Sequence, residues 1–90
     1  MRVQDVLKSK SNWCQGSVAR DQYGRAVRID DHSANSYDLL GALSKCNIDY
    51  PPMLEAYHKV EKEVGDIVKW NDDPSRTYEQ VIALASKLNL

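Results

Sequence analysis

The sequence predicts a mainly helical α+β domain, four short helices packed around a small two-stranded β-hairpin, over residues 1–90. Three observations carry this expectation. Apolar residues recur at helical spacing in four segments, β-favouring residues flank one tight-turn sequence, and no low-complexity linker or repeat divides the chain. Ninety residues suit one core, because independent domains usually span roughly 50 to 200 residues.

Val3, Val6 and Leu7 share one helical face, and Lys8 and Lys10 follow where cations suit a helix C-terminus. This places a first helix over residues 2–9, which "SNWCQG" then breaks. In "SVARDQYGRAVRI", residues 17–29, apolar and β-branched residues stand on both sides of "DQYG", a turn in which Gly24 supplies positive φ. The expectation is a hairpin centred there, which must pack on helices because a lone hairpin is marginal in water.

Cap-type residues at Asp31 and Ser33 predict the start of a central helix containing Ala34, Tyr37, Leu40, Leu43 and Cys46, with Asn47 as its stop. Gly41 in its middle costs about 1 kcal/mol relative to alanine, which points to another backbone passing close by. Pro51 and Pro52 suit the first turn of a third helix, in which Met53, Tyr57, Val60 and Val64 repeat until Gly65. The opposite face pairs Glu55 with Lys59 at i,i+4, a solvated stripe. After the apolar bulk of Ile67, Val68 and Trp70 comes the rigid turn of residues 69–76. Thr77 and Gln80 then form a T-x-x-Q capping box ahead of a last helix with Tyr78, Val81, Ile82, Ala85 and Leu88 on one face.

Composition narrows the function classes. The chain is 42% hydrophobic and 28% charged, a globular balance. No apolar run approaches the roughly 20 residues that span a bilayer, and the N-terminus lacks the apolar run of a secretory signal. A cytoplasmic domain with two reduced thiols, Cys14 and Cys46, is expected, with no membrane association. The net charge of −1 conceals segregation: residues 1–29 carry six basic and two acidic side chains, residues 30–74 four basic and ten acidic. Segregated charge suits a partner surface, whereas a net charge near zero gives little support to nucleic-acid binding.

No cofactor or metal site is expected. Cys14, His32, Cys46 and His58 have zinc-ligand chemistry but none stands at structural-zinc spacing from another, and the four glycines build no phosphate loop. Cys14 in "NWCQG" has a loop setting for a nucleophile, but the sequence places no base beside it, so no catalytic residue is assigned. Adjacent Asp72 and Asp73 are expected to diverge and bind local backbone donors rather than share a proton. Arg76 would then pair with Asp21 or Asp72, and the Trp70 indole N–H would seek a carbonyl.

Three blocks, "NWCQGSVARDQYGRAV", "SANSYDLLGAL" and "WNDDPSRTYEQVIAL", resemble a family of small bacterial and phage domains of unknown function, domain of unknown function 6197. Its pattern, W-x-Q-G-x-x-A-R-D-x-x-G, L-x-G-A-L and W-N-D-x-P-x-R-T, falls here on Trp13, Gln15, Gly16, Arg20 and Asp21, then Gly41, then Trp70, Asn71, Asp72 and Arg76. The resemblance implies no activity. A physical picture consistent with the blocks brings Trp13 and Trp70 together around Gly41, with Gln15, Arg20, Asp21, Asn71, Asp72 and Arg76 in one polar cluster.

Three function classes follow. The first is a non-enzymatic protein-interaction module, acting on an unidentified protein, with phage or mobile-element origin and modulation of a host protein in view; a homodimer stays open through Tyr23 or Tyr50. The second is a small-ligand or nucleotide site at Trp13, Gln15, Arg20, Asn71, Asp72 and Arg76, since arginine and aromatics hold phosphates and bases. The third is a weak nucleic-acid binder using Lys8, Lys10, Arg20, Arg25 and Arg28 with Tyr23 interleaved.

Overall fold

A computed structural model describes residues 1–90. Its elements are α1 (Val3–Val6), a 3-10 turn (Lys10–Asn12), β1 (Ala19–Arg20), β2 (Ser36–Tyr37), α2 (Leu39–Cys46), α3 (Pro52–Val64), α4 (Ile67–Asp72) and α5 (Tyr78–Lys87). The mainly helical fold with a small two-stranded antiparallel sheet is the class the sequence predicts.

The core gathers Val3 and Leu7 from the α1 region, Leu39, Ala42 and Leu43 from α2, Val60 from α3, Ile67 from α4, and Val81, Leu84 and Ala85 from α5. Each buried Val, Leu or Ile contributes roughly 1.5–3 kcal/mol. Every helix gives part of one apolar face, so none stands without the others.

Four element boundaries differ from the sequence reading. The first helix ends at Val6, and Lys8 and Lys10 lie beyond it. The carbonyl of Leu7, just past the helix end, accepts from the Tyr78 hydroxyl at 2.6 Å, which ties this end to α5. The turn at 21–24 forms, with Gly24 at φ +79°, but the strand paired with β1 is Ser36–Tyr37, in the register Ala19 opposite Tyr37 and Arg20 opposite Ser36. Residues after the turn make only a bridge, Ala26 to Arg20, with the Val27 N–H donating to the Ala19 carbonyl. Asp21 explains this: its carboxylate takes the N–H groups of Tyr23 and Arg25 and curls the segment tightly.

The central helix begins at Leu39, not near Asp31, and Asp38 is its cap, accepting the Gly41 N–H at 2.6 Å. Asp31 instead closes a local turn onto Ser33. Residues 67–72, which the sequence reading divides between apolar bulk and a rigid turn starting at residue 69, form α4, capped by Asp66 through the Lys69 N–H at 3.0 Å. The rigid turn is confined to Asp73–Thr77. On the α3 surface Lys59 donates to the Leu88 carbonyl at 2.8 Å rather than pairing with Glu55, and Lys87 of α5 bonds to Glu63.

Two sequence expectations hold closely. The Thr77 hydroxyl accepts the Gln80 N–H at 3.2 Å while the Gln80 side chain accepts the Thr77 N–H at 3.1 Å, a complete capping box. Gly41 does meet another backbone: a Cβ built there would lie 2.2 Å from the Val18 carbonyl oxygen. No heavy atom of a side chain fits at that distance, so α2 lies against the chain leading into β1 only because residue 41 has no side chain.

Gly41→Ala is therefore expected to destabilise the domain by about 1–3 kcal/mol despite its better helix propensity, as overpacking does. Gly24→Ala, with open space around it, should cost only about 1 kcal/mol for its positive φ. Urea denaturation of both variants checks the order; an equal or reversed ranking would refute the close approach.

Candidate functional site

Asn71 is fully buried near the end of α4, and its carboxamide is saturated. The Oδ1 atom accepts from the Trp13 indole N–H at 2.8 Å and from the Leu39 N–H at 3.0 Å. The Nδ2 group donates to the Cys14 carbonyl at 3.1 Å and to Asp72 Oδ1 at 2.9 Å. An amide side chain has two donor hydrogens and two acceptor lone pairs, so nothing is left for a ligand. One side chain thus ties together the loop before β1, the first residue of α2 and the end of α4.

Gln15 and Gly16 complete the joint. Gln15 Nε2 donates to the carbonyls of Asn71 at 2.8 Å and Asp73 at 2.9 Å, satisfying acceptors that the end of α4 leaves open. The Gly16 N–H donates to Asp72 Oδ1 at 3.0 Å. Arg20 reaches back to the Gln15 carbonyl through Nε at 3.2 Å and Nη2 at 3.0 Å, and forward to the Gly24 carbonyl at 2.9 Å. A Cβ on Gly16, whose φ is +81°, would lie 3.0 Å from Arg20 Nη2. The guanidinium therefore buttresses both the loop and the turn.

Two of the predicted residues form a separate unit. The Arg76 guanidinium lies 4.0 Å from the centre of the Trp70 ring, its Nε donates to the Trp70 carbonyl at 2.9 Å, and Nη1 donates to Gln80 at 3.2 Å. Arg76 thus links α4 to the capping box of α5; it pairs with neither Asp21 nor Asp72. The indole that finds a partner is that of Trp13, bound to a side-chain amide. The close approach at Gly41 is to the Val18 carbonyl.

Asp21 also stands apart, buried at the base of its own turn, with Oδ1 on the Tyr23 and Arg25 N–H groups and Oδ2 on Arg25 Nε at 2.8 Å. Burial pushes its carboxyl upward, but the Arg25 and Tyr23 N–H groups and the guanidinium outweigh that and hold it below the usual range. Asp72 and Asp73 diverge as expected: Asp72 turns back to Gly16, while Asp73 accepts from the Ser75 N–H and hydroxyl, which lower its pKa.

Cys14 donates its N–H to the Tyr37 carbonyl and its thiol to the Ser17 carbonyl at 3.4 Å, and burial raises its pKa. A thiol held protonated is the opposite of an activated nucleophile. No three His, Cys, Asp or Glu side chains gather as a metal-binding group. The basic residues of the N-terminal third do not form one free stripe, since Arg20 faces inward, Arg25 pairs with Asp21 and Arg28 with Asp30. No helix is long and apolar enough to cross a membrane.

The first and third sequence blocks meet at Asn71, and the second supplies Leu39 and Gly41 to the same place. The sequence profile described as Family of unknown function (DUF6197) matches residues 1–87. The chain belongs to this family. No curated protein and no solved structure matches it. In this DUF6197 domain Asp38 and the backbone groups of Cys14 and Leu39 belong to the joint although sequence reasoning did not place them there. The signal for Asp38 was a cap-type residue directly before the apolar pair Leu39–Leu40, outweighed by the similar residues at 31 and 33.

Two clefts open on the surface, and neither is lined by Trp13, Gln15, Arg20, Asn71, Asp72 or Arg76. The larger, about 390 Å³, lies beside the loop between α2 and α3; the other, about 310 Å³, lies between the Asp21–Arg25 turn and residues 32–35.

Asn71→Ala strands the Trp13 indole, the Leu39 N–H and the Cys14 carbonyl together, and each lost partner costs about 1–3 kcal/mol. A loss of at least about 3 kcal/mol is expected in urea denaturation, a large share of the roughly 5–13 kcal/mol typical for this chain length. A loss below about 1 kcal/mol would show that the joint carries little of the fold.

Proposed function

We propose that this DUF6197 domain is a non-enzymatic protein-interaction module, working in the cytoplasm and, where a phage or other mobile element carries it, on a protein of the host. The observation behind this reading is the loop joining α2 to α3. Ile48 and Tyr50, exposed at 84% and 77%, are the two most exposed large hydrophobic side chains of the chain, and they stand two positions apart before Pro51 and Pro52. Leaving such a side chain in water forfeits roughly 1.5–3 kcal/mol. Single exposed apolar residues need no explanation, but two on one short loop beside the larger cleft suit a docking surface.

That cleft is lined by Asn47 and Pro52 at the ends of the loop, by apolar Cys46, Ala56 and Leu90, and by charged Glu55 and Lys59. A mixed lining of this kind matches the apolar centre and polar rim of transient interfaces. The loop also belongs to the acidic stretch of residues 30–74, whose field would steer a basic partner towards it. The small-ligand reading has less behind it, because the polar groups of Trp13, Gln15, Arg20 and Asn71 are bonded within the fold. Nucleic-acid binding has less still, with Arg25 and Arg28 paired to aspartates.

The test compares the wild-type domain with the Ile48→Asp/Tyr50→Asp double variant as baits in cell lysate, with capture read by mass spectrometry. Both side chains are exposed, so the variant should melt within about 3 °C of wild type, as surface substitutions usually do. A partner retained by wild type and lost from the variant is the expected result. Identical partner lists for the two baits would overturn the assignment of this surface.

A further inference from the structure

Asp38 is buried more deeply than a capping side chain needs to be. Its side chain is buried, with the residue only 2% exposed, yet its carboxylate receives one protein hydrogen bond, from the Gly41 N–H, and forms no ion pair. The titratable groups that face it are Asp72 from α4 and the Cys14 thiol from the loop before β1, neither of them a cation. Arg20, whose charge acts on Cys14, is directed to the Gln15 and Gly24 carbonyls. A buried carboxylate with one donor and no counter-charge is costly in its ionised form.

The surroundings give that cost a location. The Asp38 N–H donates to the Val18 carbonyl at 3.2 Å, the same oxygen that Gly41 approaches, and Asp72 holds the Gly16 N–H at 3.0 Å. Residues 13–18, the start of α2 and the end of α4 therefore meet at one seam with Asp38 inside it. We propose that Asp38 is a proton-operated latch on this seam: the neutral acid, carrying a proton taken from solvent, holds the loop of residues 13–18 against α2 and α4, and ionisation loosens it.

Burial, opposed by the Gly41 N–H and reinforced by the charge of Asp72, pushes the Asp38 carboxyl up to about 6 from its ordinary 3.8. The folded state then binds the proton more tightly than the unfolded chain. Stability consequently rises as pH falls through about 6 and levels off near the unfolded value of about 4. Below that, Asp21, Asp31 and Asp73, all held beneath their ordinary range, take up protons and stability declines.

Asp38→Asn keeps a capping side chain and removes the titration. Relative to this variant, the unfolding constant of wild type is expected to fall about twenty-fold between about pH 7.5 and about pH 4.5. Amide exchange, corrected for the intrinsic pH dependence, should show added protection at Gly16 and Asp38 at the lower pH and little change along α3. Parallel pH profiles for the two proteins would overturn the proposal. Should the variant fold poorly, wild-type exchange decides alone: protection rising at the seam supports the latch, and protection that is flat or uniform across the chain refutes it.

Discussion

The Asn71 carboxamide is the interaction on which the rest of the domain depends, because it satisfies four partners from three segments at zero solvent exposure. A small chain buries a modest apolar core and has little stability to lose. The helices here are short, with α1 and α4 spanning four and six residues, too short to persist alone. Their positions are set by a polar joint at one end and by the shared core at the other. Around Asn71, Gln15 closes the end of α4, Gly16 meets Asp72, and Arg20 carries the connection to the turn at Gly24. Trp70 and Arg76 fasten α4 to α5 in the same manner.

That assignment changes what a functional surface must look like. The side chains that form a candidate site in the sequence, two tryptophans, a glutamine, two arginines, an asparagine and two aspartates, are engaged within the fold. The surface left for a partner is chemically plainer: the Ile48–Tyr50 loop, its neighbouring cleft and the acidic stretch that contains them. The Asp38 seam connects this surface physically to the joint, since α2 begins at the joint and ends at the loop.

The long apolar periodicities were legible in the sequence. The third and last helices, the capping box and the backbone approach at Gly41 follow from spacing and residue type alone. The meeting of residues 13–21 with 70–76 was also expressed, through blocks about fifty residues apart. The detail was not. Asp31, Ser33 and Asp38 are all competent caps, and only the pairing of Ser36–Tyr37 with β1, a non-local event, selects Asp38. Residues 67–72 are too few to show periodicity, so α4 is not legible as a helix in the sequence. Partner choice among Arg20, Asp21, Asp72 and Arg76 depends on side-chain direction in three dimensions, which spacing cannot supply; Asp21 and Arg76 both close local contacts instead of joining each other.

The Trp13–Asn71 contact serves as a structural bond of the fold rather than as a ligand-ready pair. Hydrogen exchange of the Trp13 indole N–H, followed by NMR, addresses it directly. If the bond is structural, that proton exchanges only through the opening that unfolds the domain, with the protection of the slowest core amides. Exchange at the rate of a free indole in the folded protein would rule out a structural role for this bond.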